Sequence, residues 1–171
     1  YQINAGGRDG ANAAINFFYQ NAASLPPPNV MTQSDAHDKT FMQSNDDDSW
    51  VGKGSSIYET IHQVGQLTPE TRVFQGASIK AMSADYPEKL KKFLAQTAVD
   101  GVPYGIQQVV IGGYEGETHR IWWGYKSQAE MLQAREKNND RFRSAQAQFT
   151  QQDREIIRTW LATSLLVATP E

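Results

Sequence analysis

Apolar side chains recur at helical spacing in several segments of the chain, which predicts helices there. The segments are residues 8–25, 55–67, 86–98, 127–148 and the stretch that begins near Thr150. Asp9 can cap the first helix, and a run of three prolines follows that helix. Ser56 and Glu59 have the spacing of a capping box at the start of the second. The last two segments predict a pair of helices at the C-terminus, with Trp160 and Leu161 as core residues of the final one.

Elsewhere, segments whose residues divide between the two faces of an extended chain predict strands. Residues 68–79 indicate a turn followed by a strand, and residues 105–114 and 118–125 indicate a β-hairpin around Glu115, Gly116 and Glu117. Val109, Ile111, Ile121 and Trp123 share one face of this hairpin, whereas Tyr114, Arg120 and Trp122 share the other. The alternation therefore predicts that Trp123 is buried and that Trp122 is the more accessible tryptophan.

The order of these elements does not alternate regularly enough for a doubly wound sheet. We predict an α+β fold in which a small, mainly antiparallel sheet packs against several helices, two of them at the C-terminus. We expect one domain over residues 1–171, interrupted by a polar acidic loop at about 29–54. Residues 31–49 carry five Asp against one Lys and few apolar anchors, so we expect this part of the loop to be mobile.

The composition of the chain limits the kinds of partner and site that we expect. The formal charge of −3 provides no clustered positive field for phosphates, so nucleic acid is excluded as an expected partner. The absence of cysteine excludes disulfides, thiolate nucleophiles and zinc sites that need sulfur. The longest apolar run, residues 160–168, is far shorter than the ~20 residues of a membrane-spanning helix, so no membrane span is expected in this chain.

The setting of the protein is predicted from its ends and its polar residues. The chain starts at Tyr1 rather than Met, which suggests a processed form or part of a longer protein. Its polar residues are rich in Gln, Asn, Ser and Thr, as in bacterial exported proteins. We therefore expect an extracytoplasmic location, periplasmic or secreted.

The stretch GGYEGETHRIWWGY, residues 112–125, concentrates the candidate chemistry. Tyr114, Arg120 and Trp122 can form a platform on which a ligand stacks, with His119 beside it as a further ligand-binding residue. The alternative is a sheet that is simply buried on both sides. The carboxylates of Glu115 and Glu117 stand at i and i+2, on the same side of an extended chain, where they can serve acid/base catalysis. The alternative is a hydrated pair at a hairpin tip.

Other catalytic and metal-binding patterns are absent from the sequence. The acidic loop offers oxygen and nitrogen donors, but the spacing from Asp48 to Glu59 does not match an EF-hand, and we predict no metal site. The donors are Asp35, His37, Asp38, Asp46, Asp47 and Asp48. No nucleophile elbow, phosphate loop or dinucleotide fingerprint occurs, so the sequence identifies no cofactor.

Two segments resemble mono-ADP-ribosyltransferase toxins. SSIYETIHQVGQLTPETRVFQGAS is similar to the helix-to-strand entry of that family, and YEGET is similar to its acidic turn. The resemblance implies a secreted toxin-like enzyme that uses Glu115 and Glu117 and consumes NAD.

We predict a soluble bacterial exported domain that binds a protein or small-molecule partner. The toxin-like enzyme is the first alternative. A structural or interaction module of a larger assembly is the second.

Overall fold

The computed structural model describes residues 2–5, 15–18, 55–150 and 152–164. The chain divides into two compact units. Unit 1 comprises Tyr1–Tyr58 with Val110–Gly112, and unit 2 comprises Glu59–Val109 with Gly113–Glu171. The single domain predicted from the sequence stays a prediction. The acidic loop at 29–54, including its mobile part, lies outside the described residues.

Unit 1 is built from short antiparallel pairs. Strand β1 (Gln2–Ala5) pairs on one side with β2 (Ile15–Phe18) and on the other with the first residues of β3 (Ser55–Val64). The helix predicted over residues 8–25 is therefore wrong at 15–18, and its remaining residues are not among those described. A short apolar run fits either a helix or a strand, and here the backbone of β1 is the partner that selects the strand.

The helix predicted over residues 55–67 is also wrong, because Ser55–Val64 is strand β3. The stripe of Ile57, Ile61 and Val64 matches helical spacing, but it consists of β-branched residues. Such side chains have restricted χ1 rotamers and pack well on a pleated surface, which favours a strand once a neighbour is available.

Unit 2 contains a five-stranded antiparallel sheet in the order β3-β5-β6-β4-β7, together with two helices. Beyond β3, its elements are β4 (Val73–Ala81), α1 (Tyr86–Gln96), β5 (Tyr104–Ile111), β6 (His119–Tyr125), α2 (Gln128–Gln146) and β7 (Arg154–Thr163). From β4 onwards the order β-α-β-β-α-β is that of the ferredoxin-like fold. The predicted α+β class is confirmed, although the described residues form two helices rather than several.

Both helices follow the signals in the sequence. α1 begins with a proline near its N-terminus and buries Leu90, Phe93 and Leu94. α2 begins after Ser127, whose hydroxyl accepts a hydrogen bond from the Glu130 backbone N–H at 3.2 Å. Neither helix is long and apolar enough to span a bilayer, and these are the helices found in the described ranges.

The second C-terminal helix is wrong, since Arg154–Thr163 forms strand β7 against β4. Trp160 is half-buried and Leu161 is 52% exposed, so Leu161 is not a core residue. The segment contains several β-branched and aromatic side chains, and the backbone of β4 provides a long pairing partner.

The helices cover one face of the unit 2 sheet, which we call the helix face. Its central core joins side chains of α1, α2, β4, β5 and β6. The buried members are Ala77, Ile79, Tyr86, Leu90, Phe93, Leu94, Tyr104, Ile106, Ile121 and Ala145. The other side of the sheet, which we call the opposite face, receives the alternate residues of each strand.

Candidate functional site

The predicted hairpin is confirmed, with β5 and β6 in antiparallel register from Tyr104↔Trp123 to Gln108↔His119. The turn between them is closed by a hydrogen bond from the Glu117 backbone N–H to the Tyr114 carbonyl at 2.9 Å. Gly116 has φ of +74°, which a residue with a side chain adopts only under strain. The turn therefore depends on glycine at this position.

Glu115 and Glu117, the predicted catalytic pair, lie in different environments. Glu115 is exposed, whereas the Glu117 side chain is fully enclosed. One oxygen of Glu117 accepts the Tyr114 backbone N–H at 2.9 Å, and the other accepts Arg120 Nε at 3.3 Å. Glu117 thus ties the turn to the start of β6, and the catalytic role of the two carboxylates stays a prediction.

The residues predicted to bind a ligand are divided between the two faces of β6. His119 is on the helix face, 8% exposed, with its ring 6.3 Å from that of Tyr86. Its Nδ1 lies 2.9 Å from Thr118 Oγ1, and burial lowers the pKa of the His119 imidazole. Arg120 and Trp122 are on the opposite face, so His119 does not belong to the same surface.

Four residues form one row across the opposite face, and we call them the glycine–tryptophan row. Gly105 pairs with Trp122, Trp122 with Gly76, and Gly76 with Trp160. An added Cβ at Gly105 would lie 2.8 Å from the Trp122 indole, and one at Gly76 would lie 2.2 Å from that of Trp160. Each indole therefore lies flat over a glycine of the neighbouring strand, where any side chain would displace it.

The predicted accessibility of the hairpin tryptophans is wrong. Trp122 is 6% exposed, and Trp123 is half-buried against the central core on the helix face. Trp122 is the more enclosed because Gly105 leaves room for its ring and Phe74 packs edge-on at 6.2 Å. A free stacking platform on Trp122 is therefore absent.

The charged and aromatic side chains of the opposite face are grouped beside β7. We call this group the arginine cluster: Tyr114, Glu117, Arg120, Arg158 and Trp160. The Arg120 guanidinium lies 5.6 Å from the centroid of Trp160 and is paired with Glu117. The Arg158 guanidinium stacks 4.1 Å from the Tyr114 ring and donates to its hydroxyl. The cluster holds two guanidinium groups against one carboxylate.

Two buried polar atoms beside this cluster have no hydrogen-bond partner among the residues that the structure describes. These are the Ser78 hydroxyl and the Trp160 indole Nε1. Ser78 is in register with Arg120 on one side and Arg158 on the other. Buried donors without an acceptor carry a desolvation cost, so the surface beside β7 retains unused hydrogen-bonding capacity.

The sequence reading identified Tyr114 and Arg120 but missed Arg158, Trp160 and Ser78 as members of a common surface. The signal that could have found Arg158 and Trp160 is the density of β-branched residues in 154–163, which favours a strand. A strand there, paired with β4, brings both residues beside the hairpin.

The other features of unit 2 provide fewer side chains that could bind a ligand or take part in a reaction. A pocket of about 370 Å³ lies beside the exposed ion pair of Glu70 and Lys126, whose atoms are 2.7 Å apart. Its two acidic residues, Glu70 and Glu130, are not buried. Within the described ranges, no three His, Asp or Glu side chains are close enough to hold a metal ion.

The helix that the toxin resemblance implies before β4 is not present, since Ser55–Val64 is a strand. No protein-family model matches the sequence, and no curated protein matches it. The chain is similar to a solved structure of a major regulator of staphylococcal pathogenesis, with 19% identity and a TM-score of 0.43. That similarity covers 69% of this chain and 73% of the other, and at this level it carries no argument about function.

Proposed function

We propose that this chain is a bacterial extracytoplasmic binding domain that holds an acidic group of a ligand or protein partner at the arginine cluster. The observation that supports it is Arg158. This residue is exposed and stacked on the Tyr114 ring at 4.1 Å, and it forms no ion pair with a carboxylate among the described residues.

The charge of the cluster favours an acidic group. Within the cluster Glu117 compensates Arg120, so Arg158 is the guanidinium of the cluster that no carboxylate of the cluster compensates. A guanidinium presents a planar fork of donors that matches a carboxylate, and Tyr114 holds this one against its ring. One such cation suits a carboxylate but not the extended phosphate backbone of a nucleic acid.

Two hydrogen-bond donors close to Arg158 also favour a ligand that carries hydrogen-bond acceptors. The Ser78 hydroxyl and the Trp160 indole N–H, on the same face, have no hydrogen-bond partner in the described part of the chain. The proposed extracytoplasmic setting is supported by composition, because the chain is rich in uncharged polar residues.

The enzyme alternative stays a prediction and has less support. Both oxygens of Glu117 are engaged by donors within the hairpin, and Glu115 is exposed, so the two carboxylates do not form a prepared acid/base pair. Release of nicotinamide from NAD by the purified chain would favour the enzyme. Loss of that activity in Glu115→Gln would assign it to the turn.

The binding proposal is tested by fluorescence polarisation with a labelled hexaglutamate peptide. We expect the wild-type chain to bind and Arg158→Gln to lose about tenfold or more in affinity, since a hydrogen bond to a charged group contributes about 1.5–3 kcal/mol. Arg141→Gln is the matched control, because Arg141 is an exposed arginine on α2. A labelled hexalysine peptide should not bind. Equal affinity of the Arg158→Gln and Arg141→Gln variants for hexaglutamate would refute the proposal.

A further inference from the structure

Strand β7 forms one end of the unit 2 sheet and pairs with β4 alone among the described strands. It has 10 residues, which is long compared with the usual strand of about five or six. Natural edge strands are commonly protected by lysine, proline, a β-bulge or a short length. Arg154–Thr163 contains neither lysine nor proline, and no described strand pairs with its outer edge.

Two large apolar side chains of β7 point to the helix face without being covered. Ile156 is 45% exposed and Leu161 is 52% exposed. Their register partners on β4 are Ile79 and Gln75, which places both side chains on the same side of the sheet. Neither α1 nor α2 reaches far enough to bury them.

A β-bulge explains how these two residues share a face. The register with β4 shifts between Ser78↔Arg158 and Ile79↔Ile156, so Ile157 is the extra residue. Arg158 and Trp160 are consequently on the opposite face, while Ile156, Thr159 and Leu161 are on the helix face. This pattern is nearly symmetric about Thr159.

We propose that two copies of this chain pair antiparallel along β7, with the two-fold axis at Thr159. In a two-fold pair each residue meets its counterpart at equal distance from the axis, and the bulged Ile157 of each copy is left unpaired. Ile156 of one copy then opposes Leu161 of the other, twice over, and each covers the apolar surface that the other exposes. Any other axis leaves at least one of them without an apolar partner.

The charges of β7 agree with this register. Arg158 of one copy opposes Trp160 of the other on the opposite face, where a guanidinium and an indole attract each other. Glu155 opposes Ala162, and Arg154 opposes Thr163, so no like charges stand directly opposite each other across the interface. Thr159 opposes Thr159, a pair that is favourable in antiparallel sheets. Acidic peptides and other strands are the alternative occupants, and the following experiment separates them from a second copy.

The test uses the absence of cysteine from the chain. Thr159→Cys would place two thiols opposite each other, with Cα atoms about 4.5–5.5 Å apart, which is within the range for a disulfide. Ala162→Cys is the matched control. Residue 162 is exposed on the same strand, but the two copies of residue 162 in the dimer would be roughly 20 Å apart. After mild oxidation, we expect a covalent dimer of Thr159→Cys and a monomer of Ala162→Cys on a non-reducing gel. Equal dimer formation by both variants, or none by Thr159→Cys, would overturn the proposal.

A second measurement does not depend on cysteine. Size-exclusion chromatography with light scattering should give twice the chain mass for the wild type and the monomer mass for Leu161→Lys. Leu132→Lys should remain a dimer, because Leu132 is 58% exposed on α2 and lies away from the proposed interface. A wild-type monomer at all accessible concentrations, or a Leu161→Lys dimer, would contradict pairing along β7.

Discussion

A single methyl group at Gly105 should disturb the glycine–tryptophan row in a measurable way. Its Cβ would lie 2.8 Å from Cε2, Cζ2 and Nε1 of Trp122. Optimal separations between carbon atoms are about 3.5–4.0 Å, so the indole or the strand must move by roughly 1 Å. Overpacking of this kind costs about 1–3 kcal/mol, and the replacement of glycine within a strand returns about 0.5–1 kcal/mol. We expect Gly105→Ala to lower the free energy of unfolding by about 1–2 kcal/mol.

Gly76→Ala should be more severe, because its Cβ would meet the backbone as well as a side chain. It would lie 2.2 Å from Trp160 Cζ2 and 2.3 Å from the carbonyl oxygen of Ile121. A ring can rotate away, but the carbonyl belongs to the neighbouring strand β6 and moves only with the sheet. We expect a loss of about 3 kcal/mol or more, at the upper end of measured overpacking costs.

The assay is urea denaturation followed by circular dichroism, combined with a double-mutant cycle. Gly105→Ala and Trp122→Leu should couple by about 1 kcal/mol or more, because a smaller side chain removes the clash. Gly105→Ala combined with Trp160→Leu is the control pair, since Trp160 is not among the atoms nearest that Cβ. A stabilising Gly105→Ala, or a cycle with no coupling to Trp122, would refute the packing of the indole over the glycine.

Three further predictions concern single titratable residues. Glu117→Gln should lower the free energy of unfolding by about 1–3 kcal/mol, because it weakens an enclosed hydrogen-bonded charge, while Glu115→Gln should change it little; paired denaturant titrations check both, and equal effects would contradict the difference in burial. Burial lowers the folded-state pKa of His119 below 6.5, so its contribution to stability is present above about pH 6.5 and is lost as the pH falls below that value; melting curves of wild type and His119→Gln should diverge least at low pH. The lysine hydrogen bond of Asp153 lowers its pKa from 3.8 to about 2, so its contribution is complete above pH 3.8 and is lost as the pH falls towards about 2; Asp153→Asn should be less stable than wild type at neutral pH and should lack that acid dependence.

The sequence correctly predicts those elements of unit 2 whose residue pattern fits only one type of secondary structure. α1 is recognisable because proline opens it and Leu90, Phe93 and Leu94 repeat at helical spacing. The hairpin is recognisable because two runs of β-branched and aromatic residues are separated by a turn that contains glycine. These signals are local, so the chain around them determines the structure without information from distant partners.

The errors fall on segments whose structure is decided by a neighbouring strand. Residues 15–18, 55–64 and 154–163 have apolar residues at spacings that suit a helix, yet each is paired with another strand. Such pairing is non-local, and strand preference depends strongly on context. The part of the candidate site on β7 is missed for the same reason, because Arg158 reaches Tyr114 only when residues 154–163 are a strand.

The two proposals share Arg158, and this links ligand binding to self-association. In the proposed dimer Arg158 stacks on Trp160 of the second copy, whereas in the binding proposal it receives a carboxylate. Because coupling between two binding equilibria is reciprocal, an acidic peptide that uses Arg158 should weaken the dimer, and dimerisation should weaken peptide binding. We therefore expect the monomeric Leu161→Lys variant to bind hexaglutamate more tightly than the wild type at high protein concentration, and the peptide to lower the wild-type mass in light scattering. Leu132→Lys, on α2, controls for the added positive charge. If Leu161→Lys and Leu132→Lys bind the peptide with equal affinity, and the peptide leaves the wild-type mass unchanged, the two sites do not share this arginine.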